Sequence, residues 1–496
     1  QIANFLQKYE GTPLDWPLRK KWLEYLSKRN QKQLFLDFYK STNNAELNCF
    51  KLRYQLDLNK PPKDFWQQVE KLWVVGQSQP KACDPLFSQW TKKGYRTEEV
   101  IYERIKLAAT KGKHTLIPYL TMLLPKEQQY IGRLWHRVRR DPAYVRRLGR
   151  FPLKNDREVE ILTYGIKRLV WKSPDAAVKT YELAKRTFKF STYQKSDIVK
   201  RFAIALASKK HKGAHYWLGQ VEDKDLNDAV VQWRIADALR KMDWNTVKSE
   251  LERLPDELVK GLQWQYWLAR SYQETGQTAL AKSIYKQLAK RRHYYGFLSA
   301  GQLKQQVSLD HQPIQVKDVE LKALSQHDAW QRAFALHKLS RFTQARREWN
   351  YWMSQITEAQ KLIASKLAFQ QKWYDRAIFT LADVGYLNDI DLRFPVAYQR
   401  DFERYSKQNK INPAWAFAIS RRESAFMVDA HSHAGAHGLM QVLPSTARYV
   451  NKRKVSKRNL LKARTNISLG TKYLKYLLGK HDDNNVLATA AYNAGS

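Results

Sequence analysis

Apolar side chains recur at intervals of three and four residues along most of the chain, and runs of strict alternation are scarce. That periodicity predicts helices and almost nothing else. Glycine agrees, because 19 in 496 residues is about half the usual share of roughly 7%. The long basic region 1–308 reads as consecutive short amphipathic helices. Pro174-Asp175-Ala176-Ala177 opens one of them, since proline is already set for the first helical position, and Tyr181 follows Ala177 on the same face.

Tyr266-Trp267-Leu268-Ala269 through Tyr272, then Gly276-Gln277 and Ala281 with Tyr285, has the build of a tetratricopeptide-type hairpin, with small residues at crossings and aromatics in the gaps. Further pairs are expected at Ala333–Trp352 and Leu362–Leu381. No constant repeat length persists, so the expectation is an irregular α-superhelix. Most of the 17 Trp and 27 Tyr are then packing residues. The stretch from Gln305 to Pro313 is polar and carries a proline, and Leu392-Arg393-Phe394-Pro395 is a second break. The expected division is a superhelical domain 1–308, a small helical linker domain 309–392 and a third domain 393–496.

Chemistry concentrates in residues 411–443. Asn412-Pro413 is a helix start, Trp415, Ile419 and Phe426 recur at helical spacing, and Glu423 falls on the same stripe. A carboxyl on an apolar face loses solvation, which raises its pKa and suits it to general-acid work. The pattern alone is equally met by a glutamate held by Arg421, Arg422 or a backbone amide. Ser432-His433-Ala434-Gly435-Ala436-His437-Gly438 is too permissive for a helix interior and leads to Gln441, a donor and acceptor for hydroxyl and amide groups. With Tyr492 and Asn493 among small residues near the end, the set suits a neutral, hydroxyl-rich ligand better than a phosphate or a metal. His431, His433 and His437 have no accompanying cysteine or well-placed acid, so neither metal nor cofactor is expected. The acids of 411–496 are Glu423, Asp429, Asp482 and Asp483, and of these Glu423 alone has a suitable setting.

Charge widens the picture without deciding it. The balance of 87 Lys and Arg against 47 Asp and Glu gives +40, which implies an anionic partner or surface. There is no GxxxxGK, no zinc-finger spacing and no RNP-like aromatic motif, so nucleic acid is not the expected partner. No apolar run approaches a membrane-spanning length, and no signal peptide opens the chain at Gln1. A processed, mature N-terminus accounts for the latter, and so does a cytosolic protein. Two cysteines, Cys49 and Cys83, make no framework by themselves.

Five motifs then stand in order: Glu423-Ser424-Ala425-Phe426; Gly435-Ala436-x-Gly438-Leu439-Met440-Gln441; Pro444-x-Thr446-Ala447; Asn466-Ile467-x-Leu469-Gly470; and Ala491-Tyr492-Asn493-Ala494-Gly495. Together they strongly resemble the catalytic domain of the lytic transglycosylases, whose fold is similar to goose-type lysozyme. Upstream, Leu72-Trp73-x-x-Gly76-x-Ser78-Gln79-Pro80 through Leu86-Phe87-x-x-Trp90 resembles the N-terminal domain of the large soluble members. The resemblance implies an all-α protein in which superhelix and linker close into a ring or U carrying the catalytic domain. It also implies a mature periplasmic monomer, loosely associated with the cell wall or outer-membrane surface, and a Cys49–Cys83 disulfide.

The activity implied is non-hydrolytic cleavage of the MurNAc–GlcNAc β-1,4 bond of peptidoglycan, leaving 1,6-anhydroMurNAc ends. Glu423 is the implied acid and then base. Ser432, Gln441, Tyr492 and Asn493 are implied to contact or orient the sugars. Leu443, where the family often has methionine, is implied to form an apolar wall. The catalytic domain is expected to be C-terminally incomplete at Ser496. Two other functions remain compatible with the residues: a lysozyme-type hydrolase, which needs a second carboxylate such as Asp429, and a non-catalytic basic helical scaffold.

Overall fold

The structure, a computed structural model, describes residues 1–495. Among them there are helices and no strands; the nearest approach to a sheet is a pair of isolated antiparallel bridges, His431–His437 and His437–Val442. The all-helical expectation holds. No described helix is long and apolar enough to cross a membrane. The chain divides into two compact units, residues 1–8 with 16–307, and residues 9–15 with 308 onward.

In the first unit each helix packs mainly on its neighbours in sequence, as Leu262–Glu274 does on Thr278–Ala289 and that helix on Tyr294–Gln302. The helices begin where side chains can satisfy the orphan amides. Asn155 accepts from Glu158, Ser191 and Gln194 form a reciprocal capping box, and Pro174 occupies a first turn. The apolar clusters follow one another along the chain: one around Leu23, Phe35 and Tyr54, a long one from Leu52 to Val230, one from Val231 to Trp264 and one from Tyr266 to Leu288. That serial order is what stacked hairpins produce, because each buries its face on the next. Tyr266, Ala269, Ala281 and Tyr285 are all buried in their hairpin. Cys49, in the helix Ala45–Asp57, is bonded to Cys83 at the end of the short turn Lys81–Cys83, and both are fully buried.

In the second unit the helix Asp318–Ser325 precedes two helical pairs, Asp328–Lys338 with Phe342–Met353 and Glu358–Gln370 with Tyr374–Asp383, around Trp330, Trp349, Trp352 and Trp373. After the short turn Ile390–Arg393 come Gln399–Gln408, Pro413–Ser424, Pro444–Asn451, Ala463–Lys480 and Asn485–Ala494. The 18-residue helix Ala463–Lys480 is the axis of this group. Its Ile467, Gly470, Leu474, Leu477 and Leu478 face the core. Ile378, from the preceding helical pair, belongs to the same apolar cluster as Phe402, Ile419, Leu439 and Leu477.

One helix ends sooner than its pattern predicts. Phe426 was expected on the stripe of Trp415 and Ile419, but the helix stops at Ser424, and Ala425 (φ 51°) and Phe426 (φ 64°) are left-handed. The Ala425 amide closes the helix on the Arg421 carbonyl, and Phe426 reaches the core from outside the helix. Burial of the phenyl ring offsets part of the cost of placing two residues other than glycine in left-handed backbone.

Candidate active site

Asn412 accepts the Ala414 amide at 2.8 Å and Pro413 takes the first turn, so the helix carrying Glu423 starts where the sequence predicts. Ala416, Ile419 and Ser420 face the core, and Glu423 is half-buried in the last turn. Burial pushes its carboxyl above the usual 4.5, and the nearby charge of Arg422 opposes the rise. The negative end of the helix dipole works in the same direction as burial, since it too disfavours the anion there.

Facing this turn is the tip of the 431–442 loop. His437 and Val442 exchange backbone hydrogen bonds at 3.1 and 3.0 Å, which folds Gly438–Gln441 into a tight reversal. Side chains from three helices hold that reversal by its backbone. Ser420 and Ser424 donate to the Leu439 carbonyl at 3.1 and 2.6 Å, and the Tyr492 hydroxyl donates to the Met440 carbonyl at 2.7 Å. Asn466, wholly buried, accepts the Met440 amide at 2.7 Å and donates to the His437 and Leu460 carbonyls at 2.8 Å each. Gly438 (φ 76°) is required at this spot, because a Cβ would fall 2.5 Å from both Asn466 Nδ2 and the Leu460 oxygen.

Tyr492 is tied to Glu423 electrostatically. Its phenol is pushed far up, first by burial, then by the Glu423 charge and then by Tyr473. A phenol in that state remains a neutral hydrogen-bond donor at any pH a cell meets. Gln441 sits at φ 47° and its amide donates to the Gly438 carbonyl at 3.0 Å, leaving its side-chain carbonyl for other partners.

The other acids of the segment are engaged or remote from enclosure. Arg346 grips both oxygens of Asp429, one at 3.0 Å, and also lies 4.0 Å from Asp375. These groups line a cavity of about 390 Å³ together with His337, Trp373 and Phe426. Burial pushes the His337 imidazole down, against Asp375, and the ring stacks on Trp373 with 4.4 Å between centroids. Asp482 and Asp483 are exposed in the turn before the last helix. Among the described residues, no group of three or more His, Cys, Asp or Glu side chains is arranged to hold a metal ion.

Comparison with known proteins bears on this geometry. Residues 401–496 match the Transglycosylase SLT domain, and residues 323–390 match the Soluble lytic murein transglycosylase L domain. The solved structure of an inactive glutamate-to-glutamine mutant of the lytic transglycosylase Slt from Pseudomonas aeruginosa is 31% identical. It superposes with a TM-score of 0.87 over all of this chain and 81% of that one. The chain belongs to the soluble lytic transglycosylases. The 70-kDa soluble lytic transglycosylase of Escherichia coli is similar over the same shares, with 26% identity and a TM-score of 0.89, as is a complex of the 70-kDa soluble lytic transglycosylase with bulgecin A, with a TM-score of 0.88. The soluble lytic murein transglycosylase of Salmonella typhimurium is 28% identical over all of this chain and 77% of its own length.

In this soluble lytic transglycosylase the residues singled out from sequence are not all brought to one point. Glu423, Tyr492 and the Gly438–Gln441 reversal converge. Ser432 is exposed on the loop, where its amide bonds to the Ala436 carbonyl at 3.0 Å and its hydroxyl accepts the Ala436 amide at 3.1 Å. Leu443 is 36% exposed at the entry to the next helix, and Asn493 is exposed on the last one. Sequence reading missed the roles of Ser420, Ser424 and Asn466. A signal was present for Asn466, which lies on the stripe shared by Gly470 and Leu474, where a lone amide must find partners.

Proposed function

We propose that this peptidoglycan lytic transglycosylase works with Glu423 as its single acid and base. Protonated Glu423 gives its proton to the oxygen of the MurNAc–GlcNAc β-1,4 bond, and the C1–O bond breaks as GlcNAc leaves. The carboxylate then takes the proton of the 6-hydroxyl of the same muramoyl ring, whose oxygen bonds to C1. Glu423 ends as it began, no water is consumed, and the product carries a 1,6-anhydro ring.

The observation that carries this reading is the half-buried Glu423 carboxyl with its raised pKa, facing a reversal held rigid by Ser424, Asn466 and Tyr492. The engagement of Asp429 by Arg346 supports it further, because a hydrolase needs a second free carboxylate about 5–10 Å from the first. So does the inactivity of the glutamine mutant of the Pseudomonas aeruginosa relative. In this proposal Gln441 and Asn493 orient the sugars, Ser432 lies beside the reacting ring, and Leu443 walls the groove. Tyr492, its proton committed to Met440, positions Glu423 and exchanges no proton. The chain acts as a periplasmic monomer on glycan strands, through a superhelical domain 1–308, a linker domain 309–392 and a catalytic domain 393–496. The buried disulfide supports an oxidising compartment.

Mass spectrometry of the products released from purified peptidoglycan tests the mechanism. Anhydro ends, about 18 Da lighter than their hydrolysed counterparts, are expected. Reducing muramoyl ends would overturn it in favour of hydrolysis.

A further inference from the structure

The Leu72–Trp90 motif has no part in the chemistry above, yet its backbone is fixed more firmly than a connection between helices requires. Residues 74–80 leave the helix Phe65–Trp73 and cross the end of the helix Glu98–Thr110 at very close range. A Cβ on Gly112 would fall 2.0 Å from the Gly76 oxygen, and the Lys113 amide bonds to that oxygen at 2.8 Å. Arg104 donates to the Val75 and Gln77 carbonyls at 3.2 and 3.1 Å, and its guanidinium carbon sits over Trp73, 4.4 Å from the ring centroid. Cys83 ties the far end of the segment to Cys49.

The segment so held walls a cavity of about 570 Å³, within the range of small-ligand sites. Its lining includes Arg104, Arg96 and Lys92 against a single carboxylate, Asp84, with Gln79 and Tyr119 among the polar groups and Trp73 as an apolar wall. Arg104 is 5% exposed, and among the described residues no carboxylate pairs with it. Burial pushes its guanidinium down to about 10. Two neutral carbonyls answer only part of what a buried cation lacks, and an anion in the cavity would supply the rest.

We infer that this cavity is a second, non-catalytic binding site for a carboxylate-bearing saccharide or peptide, with Arg104 as its floor and Lys92 and Arg96 as its rim. A planar carboxylate matches the guanidinium fork, while the amide, phenol and indole suit the sugar or peptide that carries it. Short fragments of an acidic, hydroxyl-rich wall polymer belong to that class. The site stands on its own residues and does not depend on the mechanism assigned to Glu423.

The test is titration of the full chain with N-acetylmuramoyl dipeptide, with the same compound amidated at its carboxylates, and with inorganic phosphate. Hydrogen exchange at residues 74–84 reports occupancy of this site and not of the catalytic one. The acid is expected to bind and protect that segment, more weakly as salt rises. The paired substitutions Lys92→Ala and Arg96→Ala, on exposed and part-exposed positions, are expected to weaken binding about tenfold without changing wall cleavage. The proposal is overturned if the acid gives no protection up to about 10 mM, if acid and amide bind alike, if phosphate alone binds, or if the rim variant binds as tightly as the parent.

Discussion

The hairpins of the first unit and the loop beside Glu423 reverse the chain by opposite means. Between the hairpins a single left-handed residue commonly ends a helix, as Asn30, Asn59, Lys210 and Gly276 do, and the next helix starts within a few positions. Residues 425–441 instead hold five such residues, Ala425, Phe426, Gly435, Gly438 and Gln441. The hairpins are stabilised by apolar faces that accept many similar side chains. The loop is specified by hydrogen bonds from buried Ser420, Ser424 and Asn466, each of which has a definite partner. A repeat tolerates drift in its connections, whereas a site that must aim one carboxyl at one bond does not. Polar staples are the costlier device, since a buried donor left alone is worse than an apolar surface.

The sharpest probe of this contrast separates chemistry from stability at one residue. Glu423→Gln is expected to reduce release of muropeptides about a thousandfold while leaving the fold intact. The folded carboxyl titrates above its ordinary 4.5, so ionising it costs stability as pH rises through that value, and the cost is complete above the raised one. The glutamine variant should therefore melt with the parent in acid and slightly above it at neutral pH. A lower melting temperature at neutral pH would mean that Glu423 is held as a structural anion.

Next in size is Asn466→Ala, which strands the Met440 amide and two carbonyls. A loss of about 3 kcal/mol in denaturant unfolding is expected, with cleavage falling further than the folded fraction explains. Ile166→Val, in the apolar core of the first unit, should cost only about 1 kcal/mol and leave cleavage per folded molecule unchanged. Equal catalytic damage from both substitutions would break the comparison. Replacing Cys49 and Cys83 together with serine opens a link spanning 34 residues, and should cost about 3 kcal/mol of stability. Cleavage per folded molecule should again be retained.

The smallest effect is electrostatic. Exposed Arg422 lowers the Glu423 pKa against the larger effect of burial. Arg422→Ala should move the alkaline limb of the pH–rate profile upward, and high salt should mimic it in the parent. A downward move would mean that Arg422 is not the charge Glu423 feels.

How much of this could be read from sequence varied with the kind of interaction. Helical spacing predicted the all-α architecture and the apolar face of Ala463–Lys480, because burial leaves a period. Glu423 on a helix stripe and Gly438 in a permissive loop carried visible signals too. Ala425 and Phe426 did not, since neither residue type announces a left-handed backbone, and so the helix end was misjudged. The grip of Arg346 on Asp429 spans 83 positions, and no local pattern encodes so distant a pair. The staples of Ser420 and Ser424 were hidden differently: both are ordinary helix residues, and their partner is a backbone carbonyl without a side-chain signature.

The Arg346–Asp429 pair and the place of Ile378 in the later core together limit how this half of the protein can be inherited or transplanted. A fragment cut just before residue 401 would keep all five motifs from Glu423 to Gly495, yet it would uncover the patch that Ile378 fills and leave Asp429 without its cation. Exchange of this segment between relatives is therefore least disruptive when the joint lies upstream of Arg346. A graft that must omit the two preceding helical pairs should carry a neutral residue at 429.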